Sequence, residues 1–77
     1  MPIHDDLREE LLRTDGEFRR LHDEHHEAQA RLDLIQQKTL LSQDDEVEEK
    51  KLKLHKLALK DRMEQIVREH REAQVAV

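Results

Sequence analysis

The sequence predicts an all-α protein, an antiparallel two-helix hairpin of coiled-coil type, and three observations predict it. Apolar residues recur at alternating steps of four and three through the first half of the chain, that register fails at residues 42–45, and the stretch Lys53 to Met63 alternates leucine and lysine with no Gly or Pro. The first seam comprises Leu7, Leu11, Thr14, Phe18, Leu21, His25, Ala28, Leu32, Ile35 and Thr39. Carried past Thr39, the same alternation would bury Ser42, Glu46, Glu49, Lys53, Lys56 and Lys60, which the cost of desolvating unpaired charge forbids. The chain therefore has to turn.

A first helix is expected over about residues 5–41. Asp5 or Asp6 can cap it, and Glu9 and Glu10 suit its positive N-terminal end. Thr14 and Glu17 have the spacing of a capping box, and Gly16 weakens a continuous helix, so this half is either one long helix or two nearly collinear pieces with a joint at 14–16. Ser42-Gln43-Asp44-Asp45 forms the turn, and Asp45 with Glu48 caps a second helix over about 46–72. Its inner stripe is Leu52, Leu59, Met63, Ile66 and Ala73. Folding at 42–45 brings Phe18 toward Ile66, Leu21 toward Met63, His25 between Leu59 and Met63, and Leu32 and Ile35 toward Leu52. Acids four residues before bases, as in Glu27–Arg31 and Glu49–Lys53, support the solvated faces.

Seventy-seven residues make at most one small domain, for which oligomerisation is a common supplement to a thin core. The chain has no cysteine, which excludes disulfides and thiolate metal sites. A net charge of −5 argues against nucleic acid as a partner, and no apolar run reaches the ~20 residues of a membrane span. The expectation is a soluble cytoplasmic protein. No Gly-rich phosphate loop or nucleophilic constellation is present, so an enzyme is not expected, nor is any cofactor.

Two sets of residues are candidates for function. Leu54 and Leu57 point away from the inner stripe and, with Lys50, Lys53, Lys56 and Lys60, form the candidate interaction surface. A second copy is the expected cover, giving a homodimer with a four-helix arrangement, and an additional protein partner is compatible with the same surface. The competing cover is the N-terminal segment around Leu12, folded back from a joint at Gly16, which would leave the protein monomeric. The alternative functional reading is an accessory metal- or nucleic-acid-binding protein. It would use His22 and His26, one helical turn apart, or the lysine-rich face of the second helix, although no aromatic residue is interleaved there to stack on bases. His25 lies on the seam and reads as a part-buried polar residue bonded across the interface.

Phe18-x-x-Leu21-x-x-x-His25, followed by Lys53-x-x-Lys56-Leu57-x-Leu59-Lys60-Asp61 and the apolar Met63, resembles the YdcH-like family of small bacterial proteins, a domain of unknown function. The resemblance covers about residues 18–67 and is most specific at Lys56-Leu57-x-Leu59-Lys60-Asp61. The chain departs from the family in carrying Ala28 in place of leucine and Leu54 in place of lysine. The resemblance implies a helical hairpin in a bacterial cytoplasm and no activity to inherit.

Overall fold

The computed structural model describes residues 3–75, and among them the chain is all-α, with three helices and no strand. These are α1 (Ile3–Thr14), α2 (Gly16–Gln36) and α3 (Gln43–Val75).

The break between α1 and α2 falls at Asp15, whose backbone is extended (φ −112°, ψ 108°). Its carboxylate accepts the Phe18 N–H at 3.0 Å and so caps α2. Thr14, expected in that role, donates its hydroxyl to the Glu10 carbonyl at 2.8 Å and so belongs to the end of α1. Its expected partner Glu17 holds Arg62 instead, at 3.1 Å. Gly16 is already the first residue of α2 and has no positive φ, so the joint owes nothing to glycine's conformational freedom.

That one extended residue corrects the expectation of nearly collinear pieces. Leu7 and Leu11 join Phe18, Leu21, Leu59, Met63, Ile66 and Val67 in one buried cluster, with Leu12 packed at its edge. A straight continuation would carry Leu7 about 21 Å past Leu21, away from Leu59, at 1.5 Å per residue. α1 is therefore folded back. Three helices replace the simple two-helix hairpin over the half of the molecule farthest from the turn.

α2 stops at Gln36, short of the expected residue 41. Ile35 is its last buried side chain, and beyond it Leu40 is 89% exposed, so no burial supports another turn of helix. The Gln37 N–H closes the end on the Asp33 carbonyl at 3.1 Å. α3 begins at Gln43, earlier than expected, because the capping residues are Ser42 and Asp45 rather than Asp45 and Glu48. The Asp45 N–H donates to Ser42 Oγ and the Ser42 N–H to Asp45 Oδ2, both at 3.1 Å. Lys38 Nζ reaches Asp45 Oδ1 at 2.9 Å and ties the two sides of the turn.

From that turn α3 runs back along α2. Lys56 Nζ donates to Gln29 Oε1 midway, and Arg62 meets Glu17 near the far end. The core is correspondingly split. Ala28, Leu32, Ile35 and Leu52 form a second cluster near the turn, separated from the first where His25, Gln29 and Lys56 stand. At that level the polar side chains leave room for a groove.

Candidate functional site

The six residues of the candidate interaction surface do not share one environment. Along an α-helix each residue advances by 100°, so Lys53, Lys56, Leu57 and Lys60 lie on the flank of α3 next to its core stripe. They line a groove of about 640 Å³ together with Met63. Lys50 and Leu54 lie behind that flank, on the outer face of α3. Leu54 is 69% exposed and Leu57 is 56% exposed, so the folded-back α1 does not cover them. Its leucines join the cluster that holds Met63 and Val67 instead, so the competing cover of the leucine pair by Leu12 and its neighbours does not hold.

α2 supplies the opposite wall with His22, His25 and His26, and α1 supplies Arg8. Arg8 reaches the groove only because Asp15 turns α1 back. Among the described residues, no Asp or Glu lines the groove. Two of its cations are engaged: Lys53 with Glu49 at 3.5 Å, and Lys56 with the neutral amide of Gln29. Lys60 has no carboxylate partner among the described residues. The wall is thus cationic and the floor, formed by Leu57 and Met63, is apolar.

The histidines report the same field. His25 is half-buried, and among the described residues no hydrogen bond reaches its imidazole, so the expected bond across the interface is replaced by a place in the groove wall. Burial holds its pKa below the ordinary imidazole value, and Lys56, His26, His22 and Lys60 add to the depression. His22 and His26 meet edge to face with ring centroids 4.7 Å apart. They supply two nitrogen ligands at most, and among the described residues no group of three His, Cys, Asp or Glu side chains is placed to hold a metal ion.

Among the described residues, no helix is long and apolar enough to cross a membrane. No curated protein and no solved structure matches the chain significantly. A family model, described as "Protein of unknown function (DUF465)", matches residues 18–67, which comprise α2 from Phe18, the turn and α3 as far as Val67. The match omits α1, so the helix that brings Arg8 to the groove lies outside the family's shared region. On this match the chain belongs to the DUF465 family of proteins of unknown function, of which the YdcH-like proteins are members.

Proposed function

We propose that the chain is a non-enzymatic structural and interaction module in which the α2–α3 hairpin self-associates through the outer face of α3. One observation carries this reading. Lys50, Leu54, Leu57 and Asp61 are all exposed and follow one another at steps of four, three and four, a palindrome of spacing with opposite charges at its ends. A two-fold axis crossing α3 between residues 55 and 56 lays Leu54 against Leu57 of a second copy and Lys50 against its Asp61. Among the described residues neither Lys50 nor Asp61 has an ion-pair partner within its own chain.

The contact is modest. Leu54 is 69% and Leu57 56% exposed, so burying four such leucines contributes about 4–8 kcal/mol, against an association cost of ~4–15 kcal/mol. Lys53 and Lys60 flank the pair on one side of α3, and Lys60 comes level with Lys51 of the second copy, so like charges gather along that edge and limit affinity further.

Sedimentation equilibrium at tens of micromolar tests the reading. The unmodified chain is expected to sediment as a dimer and the Leu54→Ser/Leu57→Ser variant as a monomer that keeps most of its helix. Lys50→Asp and Asp61→Lys each set like charges together and weaken the dimer, whereas the double exchange Lys50→Asp/Asp61→Lys restores it. A monomeric unmodified chain, or a double exchange no better than its single parents, refutes the two-fold pairing.

A further inference from the structure

Among the described residues, the groove between α2 and α3 is only half filled. Its distal half holds α1, whose Leu7 and Leu11 join Met63 and Val67 in the larger core cluster. Among the described residues the half nearer the turn stays open, with Leu57 and Met63 as its floor. An amphipathic helix thus already lies in one part of this channel, and the vacant part continues it. The two parts differ in their carboxylates. Glu64 stands among Arg8, Arg68 and Arg71 beside Val67, whereas among the described residues the vacant half has cationic and imidazole walls and no carboxylate.

We propose that the vacant half of the groove is a docking site for an acidic amphipathic helix of another protein. Its apolar residues would enter between Leu57 and Met63, and its carboxylates would meet Lys53, Lys60 and Arg8 at the rim. The volume, about 640 Å³, lies within the range of ~300–1,000 Å³ typical of ligand-receiving clefts. A helix laid in a groove with one apolar stripe and a charged border is a recurrent mode of recognition. A nucleic acid fits less well, because no aromatic side chain is available to stack on a base and the floor is aliphatic. The site shares Leu57 with the self-association face, whereas Lys50, Leu54 and Asp61 lie outside the groove, so a docked helix and a second copy compete for that leucine.

The test uses the full chain and a fluorescein-labelled helical peptide of Glu, Ala and Leu, about 16 residues long, with leucines at steps of three and four, followed by fluorescence anisotropy. The expected result is saturable binding that weakens at least tenfold in Lys53→Glu/Lys60→Glu, weakens similarly between 0.05 and 0.5 M salt, and is not weakened in Lys50→Asp, which frees Leu57 from the dimer. A peptide with Lys in place of every Glu should not bind. Both replaced lysines are exposed, and circular dichroism of the variant verifies its fold. NMR of the unmodified chain locates the contact independently, with bound peptide shifting the His25 ring and Met63 methyl signals. The proposal is overturned by absence of saturable binding up to 1 mM, by equal affinity of the charge-reversed variant, or by shifts that avoid His25 and Met63. Tighter binding of a single-stranded oligonucleotide than of the acidic peptide also overturns it, and assigns the groove to nucleic acid instead.

Discussion

Replacing Leu11 by alanine should detach α1 while leaving α2 and α3 together. Leu11 is 1% exposed and, with Leu7, supplies the buried contact that holds α1 on the larger cluster. Two buried leucines contribute about 3–6 kcal/mol. Truncating a buried leucine costs ~2–5 kcal/mol, which consumes most of that sum. An isolated twelve-residue helix is marginal in water, so α1 should unfold once it is released. It contributes 12 helical residues against 21 in α2 and 33 in α3, and its loss should lower the ellipticity at 222 nm by roughly a fifth. Hydrogen exchange should accelerate over residues 3–14 and remain slow around Leu32 and Leu52, which belong to the other cluster. Unchanged protection of residues 3–14 would show that α1 is held by contacts other than these leucines. Loss of protection everywhere would show that the α2–α3 pair cannot stand without it.

Two further substitutions test local features. Gly16→Ala should stabilise the protein by about 0.4–1 kcal/mol, since a Cβ there meets no atom within 4 Å and the backbone is already helical. A lower midpoint in urea would mean that the joint needs glycine after all. His25→Leu should be tolerated or stabilising at pH 7, because no hydrogen bond among the described residues is lost and apolar contact with Met63 is gained. The same variant should flatten the dependence of stability on pH. His25 has its folded pKa depressed below 6.5, so the unfolded chain takes up the proton more readily, and the histidine's contribution, full above 6.5, is lost as pH falls from there through the folded value. Urea melts between pH 7.5 and 5 check this, and an equally steep fall in the variant would assign the effect to other groups.

The heptad register made α2 and α3 legible, since Phe18, Leu21, Leu32 and Ile35 on one helix and Leu52, Leu59, Met63 and Ile66 on the other are all buried. The fold-back of α1 was harder to read because Leu7 and Leu11 keep the phase of the α2 seam, and phase does not distinguish a straight helix from one bent at a cap. The available signal was Asp15. An Asp one residue before glycine and three before Phe18 is a strong N-cap, but Thr14 and Glu17 presented a competing pattern at the same place. A similar competition shifted the start of α3, where Ser42 with Asp45 prevailed over Asp45 with Glu48. The lysines and Leu57 were identifiable as a surface, yet their division into a groove wall and an outer face depends on where α1 ends. Arg8 could be placed beside His22 only once that path was known.

The proposed two-fold pairing of α3 makes one distance especially informative. With the axis between residues 55 and 56, Gln65 lies 9.5 residues from the axis in each copy, so the two Gln65 positions are about 28 Å apart along the helices and about 30 Å apart in all, allowing ~10 Å between helix axes. Gln65 is exposed, and the chain has no cysteine to compete for a label. A nitroxide on Gln65→Cys, measured by double electron–electron resonance at tens of micromolar, should therefore give a single distance near ~30 Å, broadened by the label's linker. A distance near ~10 Å would indicate parallel packing of the two α3 helices, and no dipolar modulation at all would show that this face does not self-associate.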